Sequence, residues 1–472
     1  MEFKRELSLF DLTNIVVGSI IGADIYIASA ITAGMLGPFS LVVWVIAGIF
    51  ATVIALVFAY CSYYVPKVGG PFAYVSAAFD DFYGFLTGWS MWIAELISLP
   101  VFAIAFVRYL EYLVPLTFSQ EILVKGLFLF GLTAINIVGV KLAGRVNDAL
   151  TLIKLTPLLL LIGTGTVLLI TQPAIFTGNY HPFVPLGVSS LGTALVLVFW
   201  AYAGFELGTL PAAEVKDPKR TIPKAILIGM SIVAVFYLST NFIVYGAVNW
   251  QDLALSPTPL VLVGGVLLGA AGALIMTVGA LFSVSGSDES GMLGTGRLSY
   301  AMSIDGLFPR FFSSLHQKYG TPYIGLLIQG SIAFLLSIYS PITGLISFAV
   351  FNLAFAFLLT CLSLIVLTRD TEPQLSGQKI LPWIGILICL YLLYSTSLFD
   401  KIVGIVMIAA GVLMYLFFSP KQDIHHLKQM FLSEEAIFLR AMAKRERFLG
   451  NFMRMIYQWY LRLIQGRSGG PG

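Results

Sequence analysis

Apolar runs long enough to cross a lipid bilayer recur along almost the whole of this chain, and no other property limits its folding as strictly. A spanning helix needs about 20 mostly apolar residues. Twelve such runs are read at 12–33, 41–64, 82–113, 122–140, 147–171, 190–211, 225–248, 260–287, 323–340, 342–368, 380–398 and 401–418. In a bilayer each backbone polar group must find its partner within the chain, so these runs predict helices and an all-α membrane protein. Composition excludes a soluble fold, because 58% of the 472 residues are hydrophobic and 11% charged, against roughly a quarter charged in soluble domains. The first run follows Lys4 and Arg5, is too long for a signal-peptide core and lacks the usual small-residue cleavage site, so it is read as the first span. Cys61, Cys361 and Cys389 all lie inside apolar runs, which leaves nothing to build a disulfide framework or zinc cluster on. A net charge of +3 with so few surface charges offers no phosphate-binding face, so nucleic acid is excluded as a partner.

Loops rich in Lys and Arg stay on the cytoplasmic side. With both termini inside, the inner segments and the tail together hold 23 of the 27 Lys and Arg residues. An even number of spans fits this distribution; one more or one fewer would scatter the basic residues over both faces. The expected organisation is a transporter domain over 1–420 and a cytoplasmic tail over 421–472. That tail has nine Lys/Arg against four Asp/Glu, and Phe452, Met455, Ile456, Trp459, Tyr460 and Leu463 recur at helical spacing in it. A basic amphipathic helix with Trp and Tyr is expected on anionic lipid of the inner leaflet; the alternative is a solvated or partner-binding segment.

The first and sixth spans contain what a continuous membrane helix avoids. Gly18-Ser19-Ile20-Ile21-Gly22-Ala23-Asp24 places two glycines and a carboxylate near the middle of the first, and Phe199-Trp200-Ala201-Tyr202-Ala203-Gly204-Phe205-Glu206 does something similar in the sixth, with one glycine and a carboxylate. The two are five spans apart, so repeats over about 12–171 and 190–368 would present them as equivalent elements inserted in opposite directions, with two extra helices over 380–418. Matching breaks at the bilayer centre free backbone groups to hold a solute and ions. Asp24, Glu95 and Glu206 lie roughly 18–24 Å into their spans by helical rise, and Lys154 about 10 Å from the cytoplasmic side. Intramembrane charges mark a pathway by default. Other readings stand beside it: Glu95 as a neutral acid or scaffold ion-pair partner, Glu206 as an acceptor for its own unwound backbone, and Lys154 as a snorkelling side chain.

These segments resemble the amino acid/polyamine/organocation superfamily. The resemblance rests on Gly18 to Gly22, on Pro66 to Tyr74, and on Ala201 to Glu206 with Ala213-Glu214 and Asp217 to Pro223. It also rests on Gly296 to Pro309 with Gly320-Thr321-Pro322, and it extends over about residues 8–420. It implies a LeuT-like fold of two inverted five-helix repeats plus two helices, twelve in all, and movement of a small organic solute by alternating access. It also implies that backbone amides of Ser19, Gly22, Ala23 and Asp24 receive a substrate carboxylate, while carbonyls of Phe199, Trp200 and Tyr202 receive its ammonium, with Glu206 beside them. Lys154 matches a fifth-helix lysine of proton-coupled relatives, placed between Gly18 and Ser283 where sodium sits in others, so proton coupling is expected over sodium coupling. One departure stands out: where the family has a small residue followed by glycine, this chain has Ala23-Asp24. Two anions about 4 Å apart repel by roughly 4 kcal/mol at an effective dielectric of 20.

The reading that follows is a proton-coupled secondary transporter, a symporter of amino acids in the plasma membrane. Its rival is a carrier of amines, polyamines or cationic amino acids that uses Asp24. An ion channel or intramembrane enzyme is the alternative of another class. His181, His316, His425 and His426 all fall outside spans, no metal-binding motif is present, and no cofactor is expected. The sequence carries no signal for an oligomeric state.

Overall fold

The computed structural model describes residues 7–67, 69–138, 140–209, 215–369 and 377–418, with the backbone path alone for 140–152. The basic tail, Lys4 and Arg5, the Ala213-Glu214 pair and the side chains of Lys141 and Arg145 therefore lie outside the described residues. The first broken span is α1 (Leu9–Ile20) and α2 (Ala23–Leu36), followed by α3 (Ser40–Tyr64). Then come α4 (Pro71–Ala78), α5 (Asp81–Glu111), α6 (Phe118–Val138), α7 (Val140–Thr171), α8 (Pro173–Gly178) and α9 (Leu191–Tyr202). A 3-10 turn, Phe205–Thr209, leads towards α10 (Pro218–Ala247), α11 (Trp250–Leu255) and α12 (Pro259–Ile304). The last helices are α13 (Tyr323–Tyr339), α14 (Ile342–Leu367), α15 (Leu381–Ser395) and α16 (Leu398–Phe418).

Among the described residues, nine helical stretches are long and apolar enough to cross a membrane, and α13 and α15 are apolar but shorter. No strand occurs among those residues; a single parallel bridge joins Leu7 to Val215, with the Lys216 N–H donating to the Leu7 carbonyl at 2.9 Å. Chemistry at the helix ends agrees with the sequence. Ser8 and Asp11 form a reciprocal capping box that starts α1, and the Asp80 carboxylate accepts from Phe82 and Tyr83 N–H to start α5.

Helix α5 packs between α12 and α14, α12 also packs on α7, and α3 packs on α10. Small residues allow the close approaches, as expected where helix faces must fit without help from water. On α12, a Cβ at Gly279 would overlap the ring of Pro157 in α7.

The eighth predicted span, 260–287, needs correction. Gly269 has non-helical backbone angles (φ 63°, ψ −153°), so the apolar residues before it form a separate short helix, and the helix that follows continues to Ile304. Hydropathy misplaced the end because residues 288–304 carry Asp288, Glu289, Thr295 and Ser299, which are buried in the bundle and do not face lipid.

Candidate functional site

The first break consists of Ile21 and Gly22. Ile21 is extended (φ −72°, ψ 103°), Gly22 is non-helical (φ −143°, ψ −141°), and the helix restarts at Ala23. Only glycine fits position 22, because a Cβ there would collide with Oγ of Ser287 on α12. At the second break Ala203 is extended and Gly204 takes a left-handed φ of 118°. A Cβ on Gly204 would lie 3.0 Å from the carbonyl carbon and oxygen of Ser19, so the two breaks touch main chain to main chain. The Ser19 hydroxyl joins them, donating to the Gly204 carbonyl at 2.9 Å.

Unwinding the first helix frees carbonyls, and side chains from three other helices take them up. Lys154 of α7 donates to Gly18 O, and on α12 Ser287 donates to Ile21 O (3.0 Å) and Ser283 to Gly22 O (3.5 Å). The Tyr237 hydroxyl of α10 lies between Ile20 O (3.0 Å) and the Asp24 carboxyl, to which it donates. On the second break Trp200 O accepts from Ala203 N–H (3.0 Å), and Glu206 Oε2 accepts from Gly204 N–H (3.0 Å). Glu206 thus satisfies its own unwound backbone, the second of the two roles read from the sequence.

Charge is concentrated here although the site is buried. Lys154 and Glu206 are fully buried and Asp24 is 4% exposed. The carboxyls of Asp24 and Glu289 act on the Lys154 ammonium. Asp24 lies against the N–H groups of Gly22 and of its own residue. Glu95 on α5 meets Glu206 carboxyl to carboxyl. Asp288 and Glu289, adjacent on α12, have no hydrogen-bond partner among the described residues, and Arg297, two turns further on, acts on Glu289.

A small cavity lies against the breaks, walled by Asp24, Glu95, Ser98, Trp200, Gly204 and Ser287 among others. Of the predicted site residues, Ser19, Asp24, Trp200 and Glu95 border it. Gly22, Ala23, Phe199, Tyr202 and Glu206 do not line it; Phe199 packs against Phe357, and the Tyr202 hydroxyl donates to Trp44 O (3.1 Å). Gly18 and Ser283 reach the first break through the bonds already described. Trp200 is fixed by its Nε1–H bond to Ser98 (3.1 Å), and its ring leans on Phe102 with centroids 5.7 Å apart.

Sequence reasoning missed Tyr237, Ser287, Asp288 and Glu289. Ser287 follows Ser283 by four residues, a spacing that puts both on one helix face. The two acids were hidden by the early end assigned to the eighth span, and a tyrosine inside an apolar run carries no distinguishing signal.

The chain matches the family described as "Amino acid permease" over residues 7–424. It is 28% identical over 449 residues to the branched-chain amino acid permease BcaP of Bacillus subtilis (strain 168), covering 89% of this chain and 94% of that protein. It is 26% identical over 445 residues to the methylthioribose transporter of the same organism, with the same coverage of 89% and 94%. Large neutral amino acids transporter small subunit 2 of Mus musculus is 29% identical over 432 residues, covering 87% of this chain and 80% of that protein.

Proposed function

We propose, from the premise that this chain belongs to the amino acid permease family, that it is a secondary active transporter moving a small ammonium-bearing solute, amino acid or amine, across the cell membrane by alternating access. It is a multi-pass membrane protein and not an enzyme, as are the permeases and transporters it resembles. The finer reading has twelve spans, both termini inside, inverted repeats over about 12–171 and 190–368 with helices over 380–418 added, and a basic tail on anionic lipid. The contact between the two breaks supports the paired repeats, and the distribution of Lys and Arg supports the orientation.

The observation that carries the coupling is the Lys154 ammonium on the Gly18 carbonyl, in the field of Asp24 and Glu289. A protonated Lys154 ties α7 to the first broken span and balances carboxylate charge beside the cavity. Loss of that proton leaves a neutral amine, whose N–H bond to Gly18 O lacks charge assistance and which no longer balances the carboxylates of Asp24 and Glu289, so the tie weakens. Protonation and the position of α1 are therefore linked, and proton movement drives the solute. Buried lysines suit such a role because burial and neighbouring charge readily change their proton affinity.

The test is Lys154→Ala in proteoliposomes with radiolabelled leucine and, separately, putrescine. Stimulation by an inward proton gradient is expected to vanish, while counterflow, which needs no net proton movement, persists. Uptake by the mutant that still rises with the gradient overturns the coupling role.

A further inference from the structure

The N-terminal end of α2 is where a ligand carboxylate would be expected, since the first N–H groups of a helix and its dipole favour an anion. In this chain that seat is already filled from within. Asp24 is the second residue of α2, and its carboxyl lies against the Gly22 and Asp24 N–H groups, accepts from Tyr237 and sits in the field of Lys154. A carboxylate arriving from outside would meet a like charge at this end of the helix.

The rest of the wall points the same way. Glu95 is the cavity's other titratable side chain, and no Lys, Arg or His is among the residues that line it. Trp200 and Phe102 supply an aromatic wall, held in place by the Trp200–Ser98 bond, and aromatic faces attract cations. The carbonyls of Gly18, Ile21 and Gly22 are engaged by side chains. Two carboxyls therefore face an ammonium in the cavity, Asp24 and Glu95.

We infer that the ligand is an organic cation without a carboxylate, an alkyl or arylalkyl amine or a diamine, and that Asp24 stands permanently where an amino acid would put its own carboxylate. The inference rests on the transporter reading above and specifies its substrate class.

Matched pairs differing only in the α-carboxylate decide it: lysine with cadaverine, arginine with agmatine, tyrosine with tyramine. Binding to the purified full-length chain, read by ligand-induced thermal shift over a concentration series, should favour the decarboxylated member of at least one pair by about tenfold or more. Asp24→Gly should abolish or reverse that ranking. Asp24→Asn, which keeps the side-chain shape, should lose the amine preference as well and serves where the glycine variant fails to fold. If the amino acid binds as well as or better than its amine in every pair, or if Asp24→Asn keeps the amine preference, the inference is overturned. Gradient-driven uptake of that amino acid in proteoliposomes would then leave the transporter reading standing. If no member of any pair binds or accumulates, both readings fall.

Discussion

The two break glycines resist substitution for different reasons. At Gly22 the obstacle to a Cβ is the Ser287 side chain, both Oγ and Cβ, whereas at Gly204 it is Ser19 main chain combined with a left-handed φ. Gly22→Ala is therefore expected to lose transport and to be partly rescued by Ser287→Gly, which removes the main overlap but leaves Asp24 Oδ1 2.9 Å from the new Cβ and Ile21 O without its donor. Gly204→Ala is expected to lower stability by about 1–3 kcal/mol with no rescue by Ser19→Gly, because backbone strain does not yield to a neighbouring side chain. Thermal unfolding and uptake of the two double mutants check this contrast; equal rescue at both sites would refute it. Tyr237 makes a third residue-scale case. Tyr237→Phe removes a hydroxyl that bonds a carboxyl, an interaction worth about 1.5–3 kcal/mol when that partner is charged. The thermal midpoint should fall and amine affinity should weaken, while helix content by circular dichroism stays constant.

Among the elements, α7 carries Lys154, the proposed coupling side chain, and packs on α12. Pro157 lies three residues beyond Lys154, and its ring packs on Gly279 so closely that a Cβ there would overlap it. Gly279→Val should wedge α7 from α12, draw the ammonium away from Gly18 O, and reduce proton stimulation severalfold while counterflow changes less. Gly163→Val on α7, where nothing lies within 4 Å of a Cβ, should leave both assays unchanged. Equal losses in the two assays for Gly279→Val would make the contact merely structural. The same elements explain what was legible beforehand. The breaks at Gly22 and Gly204 could be read because glycine beside a carboxylate has no place in a lipid-facing helix. The lower half of α12 could not: hydropathy scores contact with lipid, and Asp288, Glu289, Thr295 and Ser299 face protein. Tyr237 was invisible for the related reason that its body is apolar and its partners, Ile20 and Asp24, are 217 and 213 residues away in the chain.

At the scale of the whole molecule, the uneven distribution of charge bears on the membrane itself. Truncation after residue 420 removes nine Lys/Arg, and the shortened chain should transport near normally while binding more weakly to vesicles rich in phosphatidylserine. Loss of turnover in a truncation that still folds and inserts would instead give the tail a gating role. The contact farthest from the cavity concerns time. Lys216 N–H on Leu7 O ties the chain entering the first broken span to the chain leaving the second break. Rocking these two segments apart means opening that clasp, and one net main-chain hydrogen bond of about 1 kcal/mol weights a two-state equilibrium by a factor of about 5. Because it is made of main-chain atoms, only proline at 216 deletes its donor. On the transporter reading proposed above, the clasp would act as a dwell timer, lengthening the lifetime of the conformer that holds it closed without touching the ligand.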